Sequence, residues 1–224
     1  HIVSGFNDHE HKLRVRFYPY LGPAAFGIRD LPFHTAATHE PFVQGLYWTA
    51  VSDGQVGLAL LNRGLMGSVR ENDGAFSSVL AFGLPYVWGT RALKGKYSYE
   101  LGLLPFTGRW EEAGLLREAL EYNFPCVSCR TSAVEAPLGE CWSPYRQAGD
   151  GGIVLSALFR RGGKVFARYY ESQGRGGKVS CEWLGRRPKF TEVDLRGREI
   201  GQPGEELDFR PWQIRTVRLD PGGR

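Results

Sequence analysis

No stretch of this sequence stays apolar for the roughly 20 residues that a membrane-spanning helix needs, so a helical membrane partner is not expected. Nothing resembles a secretory leader either, and a cytoplasmic location is the expectation. Charge of one sign is nowhere concentrated: 28 basic and 24 acidic residues leave a formal net charge of +4, spread along the chain. Proteins that bind nucleic acid cluster Lys and Arg on one face, so no nucleic-acid partner is expected and the charges read as a solvated surface of mixed sign. Cysteine is sparse. Cys126 and Cys129 form a C-x-x-C pair that suits half of a tetrahedral zinc site or a redox disulfide. No second pair follows, since Cys141 and Cys181 stand alone, and plain or buried thiols are the alternative. His9 and His11 point the same way if they lie on a strand, but Glu10 between them faces away and no third ligand is identifiable. They read as surface histidines. No His-x-Asp metal motif occurs, and the expectation is no metal, no cofactor and no catalytic residue within this chain.

What is there is enough apolar matter for an ordered core: 224 residues, 42% hydrophobic and 13% aromatic. Thirty Gly and 13 Pro suit many short strands joined by tight turns, so the expected class is all-β and antiparallel. Lys12 to Phe17 alternates strictly, with Leu13, Val15 and Phe17 on one face and three cations on the other, the pattern of a half-buried strand. Further strands are expected over 55–61, 75–82 and 97–104, punctuated by Asp53-Gly54, Asp73-Gly74 and Lys94-Gly95. One helix is expected, a crossover from Trp110 to Tyr122, with Trp110, Ala113, Leu116 and Leu120 on its packing face and Pro125 ending it. Composition changes at Gln147-Ala148-Gly149-Asp150-Gly151-Gly152. Five strand-like segments follow, over 153–159, 164–170, 178–184, 189–195 and 212–219. The expected organisation is a larger β-sandwich over 1–148 and a small one over 153–220.

An ordered set of short motifs carries a family resemblance. Asp8 to Phe17 runs from acidic to basic along a strand; Ser52-Asp53-Gly54 leads to Asn62-Arg63-Gly64; Tyr97 to Pro105 is followed by Gly108-Arg109-Trp110 and a helix. Leu155 to Phe159 with Val165 to Glu171 opens a hairpin, and Pro211 to Leu219 closes the series. Together they resemble the C-terminal β region of glycoside hydrolase family 38, the zinc-dependent α-mannosidases. The resemblance implies a galactose-mutarotase-like supersandwich, incomplete at its N-terminal side, plus a small C-terminal β-sandwich. Departures from the family pattern are Gly64-Leu65-Met66-Gly67-Ser68 in place of a Glu-bearing turn, Val79-Leu80-Ala81-Phe82 at a strand end, and Phe106 where most members carry His.

The resemblance also implies the division of labour. An N-terminal catalytic domain of the same enzyme, absent from this chain, would hold the zinc and the pair of carboxylates that retaining hydrolysis needs, and this chain would support it in cleaving an α-mannoside. Alone, it is expected to be inactive. The alternative is a stand-alone carbohydrate-binding module, in which exposed aromatic rings stack on sugar faces. Tyr47, Trp48 and Trp88 are the candidate sugar contacts, with Trp142 and Trp212 also available.

Overall fold

The computed structural model describes residues 2–3, 12–82, 96–128, 130 and 141–220. Contacts divide the chain into two units, His1–Val127 and Ser128–Arg224.

The first unit contains strands β1 (Ile2–Val3), β2 (Lys12–Phe17), β3 (Phe26–Leu31), β4 (His34–Thr38), β5 (Phe42–Gln44), β6 (Trp48–Ser52), β7 (Val56–Asn62), β8 (Gly67–Arg70), β9 (Phe76–Phe82), β10 (Lys96–Tyr97) and β11 (Leu101–Thr107), followed by α1 (Leu115–Asn123). A five-stranded sheet runs β11-β7-β6-β3-β4 and a four-stranded sheet β2-β9-β8-β5, while β1 pairs with β10. Every pairing is antiparallel.

The centre of the larger sheet is covered on both sides. On one face Ile28, Trp48, Ala50, Ala59, Leu61 and Phe106 pack with Leu115 and Ala119 of α1. On the other, Val51 and Leu60 meet Val43 and Phe76 of the four-stranded sheet. All five residues of β6 are consequently buried, which explains why Trp48-Thr49-Ala50-Val51-Ser52 lacks the alternation of a half-exposed strand.

The helix begins five residues later than periodicity suggests. Gly114, with φ 67°, adopts a left-handed conformation, and residues 110–114 form turns instead. That break changes the phase between Trp110 and the residues after it. Leu115 and Ala119, one turn apart, are the buried positions, while Leu116 and Leu120 of the expected face are only half-buried. Trp110 and Ala113 do pack on the same core, from the turns that precede the helix.

The second unit is a sandwich of two antiparallel sheets. Its strands are β12 (Tyr145–Gly149), β13 (Ile153–Arg161), β14 (Lys164–Glu171), β15 (Gly177–Trp183), β16 (Lys189–Val193), β17 (Leu207–Phe209) and β18 (Ile214–Asp220). They are ordered β13-β14-β18-β16 in one sheet and β12-β15-β17 in the other. Ala167, Tyr169, Phe190, Val217 and Leu219 from the first sheet form one core with Val179, Cys181, Leu207 and Phe209 from the second. β12 pairs with β15 from Tyr145↔Trp183 to Gly149↔Val179 and so belongs to the second unit. Glu171, fully buried, closes this unit: its carboxylate accepts the backbone N–H groups of Gln173 (2.8 Å), Gly174 (2.8 Å) and Trp212 (2.9 Å), tying two loops to the end of β14. Bonds to an ionised acceptor are about twice as strong as neutral ones, which suits a buried carboxylate to this task.

The revised helix face is testable. Leu115→Ala should lower unfolding free energy by about 2–5 kcal/mol and Leu116→Ala by clearly less, while Arg117→Ala, on the exposed side, should fall within about 0.5 kcal/mol of the parent. Urea denaturation of the three variants checks the order.

Candidate functional site

Tyr47 and Trp48 are adjacent in sequence; β6 begins at Trp48, and both residues pack on the core beneath α1. Trp48 is 1% exposed within the core beneath α1, so neither face of its indole is open to a sugar. Tyr47 is half-buried at the surface, its ring 5.3 Å from that of Phe124 and inclined at 70°. Trp88 lies outside the described residues. Of the other aromatics, Trp142 is 48% exposed, whereas Trp212 is half-buried and its ring lies where a side chain on Gly174 would have to go.

Around Tyr47 the structure gathers a corner that the sequence does not reveal. Arg63 stacks its guanidinium 4.8 Å from the centre of the Tyr122 ring, donates from Nη2 to the Tyr122 carbonyl at 3.0 Å and pairs with Glu100. It thereby serves the carbonyl end of α1, where a cation is favoured. Asn123 donates from Nδ2 to the carbonyls of Ala119 (2.8 Å) and Tyr47 (3.2 Å), and the Asn62 N–H donates to the same Tyr47 carbonyl at 2.9 Å. From the other side, Asp30 accepts the backbone N–H groups of Tyr47, at 2.8 Å, and Trp48. The segment entering β6 is thus held at both its N–H and C=O groups. Chemically, the corner offers aromatic edges beside one guanidinium and one carboxylate already paired together, a contact surface with no nucleophile and acid pair.

The motif residues that carry the family resemblance prove to be turn builders. Asp53 Oδ1 accepts the N–H groups of Gln55 and Val56, both at 2.9 Å, and Ser52 Oγ accepts from Gly54 and donates to the Val56 carbonyl. Asn62 Oδ1 accepts from Gly64. Gly54 and Gly64, with φ 93° and 92°, supply the left-handed conformation that these turns demand. Cys126 and Cys141 are exposed thiols and Cys181 is buried; Cys129, His9 and His11 lie outside the described residues. Among the described residues no group of three His, Cys, Asp or Glu is placed to hold a metal ion, and no helix is long and apolar enough to cross a membrane.

A second feature of the first unit is a groove of about 530 Å³ lined by Pro19, Leu21, Val56, Leu58, Pro105 and Phe106. It lies beside the edge strand β11. Leu103 and Pro105 of that strand pair with Leu60 and Leu58 and share their face of the sheet. Leu60 is covered by the four-stranded sheet, but Leu103 is 50% exposed and Val56 42%. The larger sheet therefore presents an apolar strip that its partner sheet does not cover.

Burial pushes the Asp30 carboxyl up to about 6, while the N–H groups of Tyr47 and Trp48 hold it down. A carboxyl whose folded pKa is raised favours folding most when protonated in both states, and that contribution is lost as pH rises from the unfolded value near 4 through 6. Asp30→Asn keeps an acceptor oxygen and removes the ionisation. The stability of the parent relative to Asp30→Asn should fall by about 2–3 kcal/mol between pH 4 and pH 7. Urea midpoints across that range check it, and a constant difference would show that Asp30 does not titrate on unfolding.

No family model matches the sequence. It is similar to α-mannosidase 2C1 of Mus musculus, with 24% identity over 242 aligned positions that take in 98% of this chain and 22% of the mouse protein. Two solved structures from Enterococcus faecalis share its architecture. An α-mannosidase superimposes with a TM-score of 0.77 at 17% identity, and a protein of glycosyl hydrolase family 38 with 0.78 at 19%. In both, the match covers 93% of this chain and 26% of the other. The chain thus spans between a fifth and about a quarter of the length of these proteins, and in fold it is the counterpart of a β-rich section of the family 38 α-mannosidases.

Proposed function

We propose that this chain is the C-terminal β portion of a family 38 α-mannosidase, packing on the zinc-bearing catalytic domain and shaping the wall of its sugar pocket during retaining hydrolysis of α-mannosides. One observation carries the reading: almost the whole chain aligns with a small part of a much longer α-mannosidase, 98% against 22%. Retaining hydrolysis needs two carboxylates flanking the scissile bond. The well-placed carboxylates here have other work, since Asp30 and Glu171 bind backbone N–H groups, Asp53 builds a turn, and Glu71 and Asp73 pair with Arg14 and Arg16. Zinc and the reacting carboxylates belong, on this reading, to the catalytic domain. The uncovered strip at Leu103, Val56 and Pro105 supports a docked neighbour, because an apolar strip at a sheet edge is stabilised when something covers it.

A stand-alone carbohydrate-binding module is the second reading, favoured by the exposure of Trp142 and the surface position of Tyr47. The two differ in what binds. With the catalytic domain of a family 38 α-mannosidase expressed separately and titrated in, the melting temperature of this chain should rise, since a ligand of the folded state alone stabilises it. Leu103→Glu should remove that rise and leave the free chain's melting temperature nearly unchanged. Purified alone, the chain should show only background hydrolysis of an activated α-mannoside, with or without added zinc. No thermal shift at saturating upstream domain, together with direct mannoside binding by this chain, favours the module instead.

A further inference from the structure

Two turns of the second unit, far apart in sequence, meet at one pocket. The β13–β14 hairpin turns through Arg161-Gly162-Gly163-Lys164, and the segment after β15 turns through Trp183-Leu184-Gly185-Arg186, where the N–H of Trp183 donates to the Arg186 carbonyl at 2.8 Å and the N–H of Arg186 to the Trp183 carbonyl at 3.1 Å. Between them lies a cavity of about 420 Å³, within the usual range of about 300–1,000 Å³ for small-ligand sites. Its apolar lining comes from Trp183, Val165, Pro188 and Leu219; its polar lining comes from Lys164, Arg186 and Asp220. Trp183 is half-buried, packed against the core.

The charges do not cancel. Asp220 is already held by Arg218, through Nε at 2.5 Å and Nη2 at 2.9 Å, and by the Thr191 hydroxyl at 2.6 Å. Lys164 and Arg186 are both exposed and make no ion pair among the described residues. Arg186 without an ion pair, Lys164 beside Asp220, a carboxylate able to accept hydrogen bonds from hydroxyls and an indole among apolar groups match a sugar-sized ring that bears an anionic substituent. The ring covers the indole, hydroxyls meet Asp220, and the anion meets Arg186 and Lys164.

A second observation points to the same place. Both turns have positive φ at their two central residues: 55° and 77° at Gly162 and Gly163, 53° and 74° at Leu184 and Gly185. Such turns call for Gly, Asn or Asp at both positions, and the hairpin obeys with two glycines. The other turn places a leucine there, 56% exposed and lining the pocket. A strained, solvent-facing apolar side chain contributes little to the fold, and strain of this kind concentrates at ligand clamps.

We infer that this pocket is a binding site for an anionic monosaccharide unit, a sugar phosphate or a uronic acid. The inference stands apart from the α-mannosidase reading and rests on the second unit alone. The test follows the indole N–H signal of Trp183 by nuclear magnetic resonance in the whole chain, assigned by its loss in Trp183→Phe. The titrants are mannose 6-phosphate, glucuronate, mannose and inorganic phosphate. At least one anionic sugar should move the signal to saturation, with mannose ineffective, and the choice between phosphate and carboxylate names the substituent. Lys164→Gln with Arg186→Gln, both on exposed side chains, should weaken binding by about tenfold or more. Leu184→Asn should raise the melting temperature yet weaken binding, an outcome that a purely structural leucine would not give. Failure of both anionic sugars to move the signal, an equal response to mannose, or an equal response to inorganic phosphate would overturn the assignment.

Discussion

Everything in the first unit follows from burying β6 and the adjoining end of β7 on both faces. Two apolar sides to one strand pair cannot be satisfied by a single partner layer, so the chain must supply a helix for one side and a second sheet for the other. The helix arrives last, after β11, and the four-stranded sheet is assembled from β2, β5, β8 and β9, which interleave in sequence with the strands they cover. A strand buried this completely has no freedom to slip, because a shift of one residue exchanges its two faces. Asp30 enforces the register where β6 begins. It keeps a carboxylate dehydrated to do so, and the raised pKa records that cost.

The same economy shows in the family-like motifs, whose polar side chains build turns. Ser52, Asp53 and Asn62 spend their side chains on neighbouring backbone groups. Their persistence in one order along the chain reflects the demands of tight antiparallel turns. A likeness built on such residues therefore speaks first about architecture.

Much of that architecture was legible in the sequence. β2, β7, β9 and β14 show alternation or apolar runs between turn signals, and the structure places strands there. The strand β6 was not legible as one, since burial on both faces erases the period of two. β12 and β17 escaped because β12 is largely exposed and β17 is only three residues long. The helix start was missed because Gly114 interrupts a pattern whose spacing continues across it. Site residues were less legible than strands. Tyr47 and Trp48 look equally suited to a sugar, and only the packing shows that Trp48 is enclosed while Tyr47 stays half-buried. The corner of Arg63, Tyr122 and Asn123, like the pocket between Lys164 and Arg186, joins residues separated by 20 or more positions, and composition gives no sign that they meet.

Glu171 also sets an order of events in time. Its carboxylate receives the N–H of Trp212, 41 residues further along the chain, and cannot leave water cheaply until that partner has arrived. The third of the bonds to Glu171 therefore forms only once the segment before β18 is in place, while Gln173 and Gly174 donate from the loop itself. Contacts of such sequence separation slow folding, and a nascent chain emerging end by end holds this unit unfinished until its last strand is made. Displacing the segment that carries Trp212 would leave the buried Glu171 with the donors of its own loop but without the third, so a change just before β18 reaches back to the end of β14.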